Sequence, residues 1–426
     1  MRIDSDGLSE QRAMGDQDPW PFLFGVHQRE DRVVPMDSLV RVSKRKDPYR
    51  ATREVLEQFP LPEMKGKNVL IKPNAARVAL PGQGVTTHPS VVEATIDCLR
   101  ERGAREITIG ESCIFGVDAQ EAFRVTGMKD VSEKRRVSLV DFDDADSIEI
   151  PVPAGKVLQK IRIPAALKQF DFIVSIPVMK THMHTQVTLS LKNMKGLLWR
   201  KEKARFHHLR ATERVRRGEK ELDLAISEMA SVLFPHLAVI DGTVGMEGMG
   251  PAYGTAKRMG IVLAGNNPLS ADAVASRLMG FDPERIPHLR LAAEKGLGDI
   301  RLQNISVQPE DYLRWETPFA PPPSKLAIPF PDVVVHDEGS CSACLSTLVV
   351  FLQKYHSRLP EHAPPRDGKI HVGIGKHLKG FPVETILIGN CASRMKERRI
   401  WVQGCPPVTS EIWNVLTENK QSRDQY

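Results

Sequence analysis

Asn68-Val69-Leu70-Ile71-Lys72-Pro73-Asn74 is an apolar run that stops abruptly at a lysine, a proline and an asparagine. A loop with Gly82 and Gly84 follows and leads into Thr86-Thr87-His88-Pro89. Proline suits the first turn of a helix, residues 90–102 have a helical pattern, and Gly103 stands where a left-handed residue closes one. Glu106-Ile107-Thr108-Ile109-Gly110 then reads as a second strand. Strand, helix and strand within about 40 residues make a βαβ unit, so the sheet begins parallel.

The alternation continues downstream. Residues 172–176 (Phe-Ile-Val-Ser-Ile) read as a buried strand, 222–234 as an amphipathic helix, and 237–240 and 261–264 as strands. Residues 270–279 read as a helix with Ser270 as a candidate N-cap. Such alternation implies an α/β fold with a mostly parallel sheet covered by helices. Upstream, residues 1–60 are polar and broken by Pro19, Pro21, Pro35, Pro48 and Pro60, which predicts an irregular arm with one short helix over 49–58. The central α/β domain is expected over 61–316 and a proline-dense linker over 317–331. A second, smaller α/β domain, 332–426, is expected to hold strands at 333–335, 370–374 and 385–388 and helices at 345–355 and 410–416. A chain of 426 residues is long enough for two cores.

Composition narrows the function classes. The chain is 41% hydrophobic and 26% charged, with no apolar run near the roughly 20 residues that span a bilayer. No secretory h-region marks residues 1–19. A cytoplasmic protein without membrane contact is therefore expected. The net charge of +6 is spread along the chain and does not by itself imply nucleic acid. Residues 200–220 hold nine Lys or Arg, yet acidic residues are interleaved and only Trp199 and Phe206 offer stacking, so a solvated excursion is expected there and no nucleic-acid partner. Gly245-x-x-Gly248-x-Gly250-x-x-x-Gly254 follows a strand but precedes another strand, so a dinucleotide fingerprint would lack its helix.

Chemistry concentrates in two places. Four of the six cysteines lie in the last quarter: Cys341-Ser-Ala-Cys344, Cys391, and Gly404-Cys405-Pro406-Pro407. Each follows a predicted strand or precedes a predicted helix, which in a parallel sheet places all four at one edge. Four thiolates complete the ligand set of a 4Fe-4S cluster, and Gly339, Gly389 and Gly404 allow backbone close to sulfide. A structural zinc site on the same thiolates is the alternative cofactor; a dithiol pair would leave Cys391 and Cys405 unexplained. Cys98 and Cys113 are expected merely to pack.

The second concentration is Pro177-Val-Met-Lys180-Thr-His182-Met-His184, followed by Thr188, Ser190, Lys192, Asn193, Lys195 and Gly196. Lysines and histidines at a strand's carboxyl end, beside a helix start near Thr188, would form an anion site. Lys72, Asn74, His88, Glu111, Ser112 and Asp241 end neighbouring strands or their loops and are expected to face the same crevice. Lys180, His182 and Lys192 are the candidate catalytic residues; Lys72, Asn74, His88, Glu111, Ser112, Asn193, Lys195 and Asp241 are the candidate ligand-binding ones. The expected ligand is a small anion, with a redox partner protein as a second candidate partner. A metal on His182 and His184 would lack a carboxylate at suitable spacing.

In order, Lys72-Pro-Asn74, Thr87-His88-Pro, Gly110-Glu111-Ser112, Met-Lys180-Thr-His182, Leu-Lys192-Asn193-Met-Lys195-Gly196, Asp241-Gly242 and Asn267-Pro268-Leu-Ser-Ala-Asp272 resemble the family known as domain of unknown function 362. That resemblance implies iron-sulfur association, which members commonly carry on a cysteine-rich insert that this chain lacks. The C-terminal Cys-x-x-Cys, lone Cys and Gly-Cys-Pro-Pro are similar to the proximal-cluster ligands of nickel-iron hydrogenase small subunits. That likeness implies a flavodoxin-like cluster domain and an electron-transfer or reductase role.

Overall fold

The computed structural model describes residues 38–423, except 115–116, 201, 207–208, 210–214, 217, 323–329, 341, 364, 397–398 and 405. The chain runs β1 (Leu39–Lys44), α1 (Pro48–Glu57), β2 (Asn68–Pro73), α2 (Pro89–Glu101), β3 (Glu106–Glu111), α3 (Ala119–Val125), α4 (Met128–Arg135) and β4 (Ser138–Asp141). It continues through β5 (Ser147–Pro151), β6 (Lys160–Pro164), β7 (Phe172–Ile176), β8 (Val178–His182), β9 (Gln186–Thr188), α5 (Ser190–Asn193), α6 (Glu202–Arg205) and α7 (Glu221–Ala230). β10 (Leu237–Glu247), β11 (Thr255–Gly265), α8 (Pro268–Leu278), α9 (Pro287–Glu294) and β12 (Ser306–Gln308) complete the large domain. The C-terminal domain has β13 (Val333–Glu338), α10 (Ser342–Tyr355), β14 (Ile370–Gly375), β15 (Ile386–Ile388), β16 (Trp401–Val402) and α11 (Thr409–Arg423).

The large sheet has the order β12-β1-β11-β10-β7-β2-β3-β4, with β8 and β9 branching from β10. From β10 to β4 every neighbour is parallel. The antiparallel β10–β11 hairpin adds the other half. The expected fold class is therefore present: a mostly parallel sheet with helices on both faces. Alternate residues of one strand serve the two faces. Val69 and Ile71 of β2 join the core under α1 and α2, whereas Leu70 joins the core under α7. Such two-sided burial is why the run is apolar throughout instead of alternating.

Helix α2 starts and stops as its sequence dictates. The His88 ring accepts from Ser90 N, Pro89 opens the helix, and Gly103 leaves it at φ +87°. Helix α8 starts at Pro268, capped by Asn267, whose side chain accepts from Ser270 N. Ser270 is thus inside the helix and not its cap, because a proline at the first position fixes the start three residues earlier.

Residues 38–60 do not stand apart as an arm. β1 pairs antiparallel with β11 and parallel with β12, and α1 covers that edge. Their partners lie more than 200 residues away, beyond any local pattern. Residues 1–37 lie outside the described ones. The start of the expected linker belongs to the large domain too: Phe319 is buried in its core, and Thr317 N donates to Leu278 O. Of the glycine-rich stretch, residues 248–254 form the turn of the β10–β11 hairpin, as expected from the strand that follows, while Gly245 still pairs with Lys257.

The C-terminal sheet is separate and parallel, as expected for a small α/β domain. Its strands run in sequential order β13-β14-β15-β16, without the reversal that marks a flavodoxin-type switch point. α10 and α11 cover it through Leu348, Leu352, Ile412 and Leu416.

Candidate functional site

The carboxyl ends of β2, β3 and β7 converge on one buried lysine. Lys72 Nζ donates to Glu111 Oε2 at 2.7 Å, to Pro73 O at 2.9 Å and to Asn193 Oδ1 at 3.0 Å. An ammonium has three protons, and these acceptors use all of them. Asn193 Nδ2 donates to Lys72 O and to Ser175 Oγ, tying α5 to β2 and β7. Glu111 also accepts from Ala75 N and Ser112 N. Burial pushes the Lys72 ammonium down and the Glu111 carboxyl up, and each partner opposes the other's shift. Lys72, Glu111 and Asn193 were expected to face a ligand; the structure seals them beneath the crevice as a positioning network. Gly196 crosses so near that an added Cβ would collide with Glu111 Oε1 and Lys72 Nζ.

Above this network lies Lys180. Its motif is expected at a strand's carboxyl end leading into a helix near Thr188, but Val178–His182 is itself strand β8, which pairs with β10 and turns back as β9, so the lysine is held by a sheet. Lys180 Nζ donates to Asn74 Oδ1 at 2.6 Å and Val85 O at 2.7 Å. Thr87 Oγ1 accepts from Asn74 N and donates to Ile176 O. Asp241 accepts from His88 N at 2.8 Å and from Thr243 N and Oγ1, so His88 and Asp241 join the start of α2 to β10. β10 does not end at Asp241: it shifts register between Gly242 and Val244 and runs on to Glu247. Gly84, at φ +71°, lies so close to the Gly245 carbonyl that any side chain would clash.

Around Lys180 the charge is mostly basic, with Glu111 opposing. Burial, then Arg77 and Lys72, lower its ammonium to about 7. Lys195 falls to about 7 through burial and then Lys203, with Glu411 of α11 opposing. Lys192 is held well below its ordinary range by burial and then by Lys195, Lys180 and Arg77, while Asp223 opposes. Lys192 and Lys195 keep part of their surface accessible, so solvent reaches them even though their heads are largely desolvated. Six basic side chains, Lys72, Arg77, Lys180, Lys192, Lys195 and Lys203, are thus linked through their mutual electrostatics.

The two motif histidines are buried as well. His182 Nδ1 accepts from His184 N at 3.0 Å, and the rings stand 5.2 Å apart. Burial and then Lys192, Lys220 and Lys195 keep His184 well below its usual range, so it is neutral at physiological pH. Lys220 Nζ donates to His184 O. Asp272, on α8, accepts from Ser190 N at 2.7 Å and Leu191 N at 2.9 Å and so anchors α5 and its lysine. Burial raises its carboxyl to about 8. Arg77, Lys220 and Asp272 were not chosen from the sequence as site residues. Only Asp272 left a signal there, in the Asn-Pro-Leu-Ser-Ala-Asp motif.

In the C-terminal domain, Cys341 and Cys405 lie outside the described residues. Cys344 is buried on α10 and Cys391 is exposed in the turn after β15. A Cβ added to Gly389 would stand 3.2 Å from Cys344 Sγ and 3.6 Å from Gly404 O. Asn390 N donates to Gly404 O at 2.8 Å, and Gly404 N donates to Asn390 Oδ1 at 3.0 Å. Cys344 therefore lies against the turn of Gly389 and Asn390, which is hydrogen-bonded to Gly404. Among the described residues no group of three or more His, Cys, Asp or Glu is arranged to hold a metal ion. Cys98 and Cys113 are buried in the core of the large domain, their thiols pushed up to about 11 and about 12.

The fold is that of a mixed α/β protein with a large, mostly parallel sheet flanked by helices and a separate C-terminal parallel sheet. Residues 69–277 match the sequence profile of the family described as Domain of unknown function (DUF362), as the order of motifs implied. The thylakoid-associated protein sll1697 of Synechocystis is 27% identical over 239 residues, covering 55% of this chain and 68% of that protein. A distant structural likeness is to the lactate racemase apoprotein of Thermoanaerobacterium thermosaccharolyticum, with a TM-score of 0.38 and 13% identity. It covers 57% of each chain, so this protein spans little more than half of that one. Among the described residues no helix is long and apolar enough to cross a membrane.

Proposed function

We propose that the central crevice binds a small anionic ligand and that the C-terminal domain carries a 4Fe-4S cluster serving redox chemistry there. The observation that carries the anion reading is the gathering of basic side chains around buried Lys180 and partly buried Lys192: Arg77 and Lys72 lower Lys180, and Lys195, Lys180 and Arg77 lower Lys192. A cluster of like charges raises the local potential and is relieved by an anion. Lys180, pinned by Asn74 and Val85, would orient the anion, and Lys192 and Lys195 would complete its charge. His182 would stand beside the bound group.

Cys341, Cys344, Cys391 and Cys405 would hold the cluster. The close approach of Gly389 to Cys344 supports the fit, because backbone without a side chain can lie against sulfide there. When bound, such a cluster supplies one-electron transfer, recharged by a redox partner protein. Glu411 follows the Cys405 loop by six residues and acts on Lys195, which supports coupling of the two domains.

Anaerobically purified protein is expected to contain about four irons per chain and a paramagnetic reduced state. Cys344→Ser and Cys391→Ser should lose both while the large domain keeps its melting transition. Stoichiometric zinc without iron would overturn the cluster reading in favour of a structural site on the same cysteines.

A further inference from the structure

His288 is the second residue of α9 and has no exposed surface, and neither ring nitrogen has a hydrogen-bond partner among the described residues. Its electrostatic neighbours are Lys192 and Lys220, the same cations that act on His184. Helix α9 packs against α7 and α8, the helices that also hold α5, and its Leu289 shares one core with Leu189 and Leu191, so His288 lies on the side of the fold that carries Lys192. Two further buried hydroxyls there share its condition: Thr188 Oγ1 and Ser190 Oγ also have no partner. Thr188 is the cross-strand neighbour of Lys180, and Ser190 lies two residues before Lys192. Buried polar atoms in native proteins are almost always hydrogen-bonded, so three unpartnered groups flanking one set of lysines need an explanation.

We propose that His288, Thr188 and Ser190 form an uncharged polar wall of the crevice, and that the ligand carries a hydroxyl or carbonyl group beside its anionic group to hydrogen-bond with that wall. This inference rests on the anion-binding reading above. The cations at the mouth take the acid group. A neutral imidazole offers one donor and one acceptor, which suits an uncharged group and adds no further charge. Burial and the surrounding lysines hold His288 near 3, so it stays neutral across the physiological range. A site built to hydrogen-bond a hydroxyl discriminates against the analogue that lacks it, because its own polar atoms are then left unpaired.

The test uses the full-length protein titrated calorimetrically with malonate and with hydroxymalonate, which differ by one hydroxyl, and with inorganic phosphate. Hydroxymalonate should bind about tenfold more tightly than malonate. His288→Leu should erase that preference while leaving malonate affinity and the melting temperature undiminished, because removing an unpartnered buried polar group is neutral or stabilising. His288→Gln should keep part of the preference, and Thr188→Val should cut it about threefold. If His288→Leu fails to fold, the Thr188→Val and His288→Gln results decide. Equal affinity for the two acids in the wild type, or a preference that survives His288→Leu, overturns the proposal and leaves the anion site standing. Failure of all three anions to bind overturns the anion reading and this inference with it.

Discussion

The Lys72 ammonium and the Glu111 carboxylate meet at 2.7 Å with 1% and 0% of their side chains exposed. Removing one partner from such a pair strands a charge where water cannot reach it, whereas removing both does not. Lys72→Met is therefore expected to destabilise the large domain by about 3–5 kcal/mol, and Lys72→Met with Glu111→Leu to recover most of that loss. Urea unfolding followed by the large-domain signal measures both. Additive losses in the double variant would show that the pair does not act as a unit.

Gly196 is the neighbour this pair cannot spare. A Cβ there would collide with both the carboxylate and the ammonium, neither of which can move without losing its bonds. Gly196→Ala should cost about 1–3 kcal/mol, the usual range for overpacking a tight interior, and should weaken anion binding as well. An unchanged thermal midpoint would contradict this placement of the 194–197 turn.

Binding of an anion should draw protons onto the site. Lys180 and Lys195 both lie at about 7, and an anion favours their charged forms. Titration calorimetry in buffers of different ionisation enthalpy near neutral pH should register net proton uptake. As pH rises beyond about 7 the ammonium forms are lost, and affinity should fall, approaching about tenfold per pH unit for each lysine that must be charged. Affinity that is flat between about pH 7 and 9 would remove these lysines from the binding site.

Asp272 sets a pH dependence of stability. Its carboxyl is raised in the folded protein from an ordinary 3.8 to about 8. For a raised carboxyl the contribution is fully present below the unfolded value and is lost as pH climbs through the folded one. Wild-type stability should therefore decline between about pH 4 and 8 by as much as about 1.4 kcal/mol per unit from this group. Asp272→Asn should be flatter across that window, although less stable at its acid end because one of the two backbone donors at α5 loses its acceptor. Equal slopes for the two proteins would show that the carboxyl is not desolvated.

Local order made much of this fold legible. The β2–α2–β3 unit could be read almost to the residue because proline, glycine and apolar run are contiguous, and a βαβ unit follows from proximity in sequence. β1 could not, since its partners at 261–265 and 306–308 are distant and its own six residues carry a mixed pattern. β8 and β9 were hidden by their polarity: Lys180, His182 and Thr188 look like loop residues, yet the sheet buries them because the crevice needs them there. The same polarity marked the candidate residues. Lys180 and Lys195 both act on Lys192, whereas Lys72, one strand-end away, is consumed by Glu111 and Asn193. Nothing in a single sequence distinguishes a lysine that meets a ligand from one that holds the floor beneath it.

The chain enters the large sheet through β1 and leaves it through β12, and these two strands lie side by side and parallel. A unit whose ends are neighbours is a cassette: it can be spliced into another polypeptide, or have a different module hung from its exit, without disturbing its hydrogen-bond ladder. The cysteine-bearing tail is such an appendage, so a shortened version ending soon after residue 320 should keep the large sheet assembled and let anion binding be measured without the four tail cysteines.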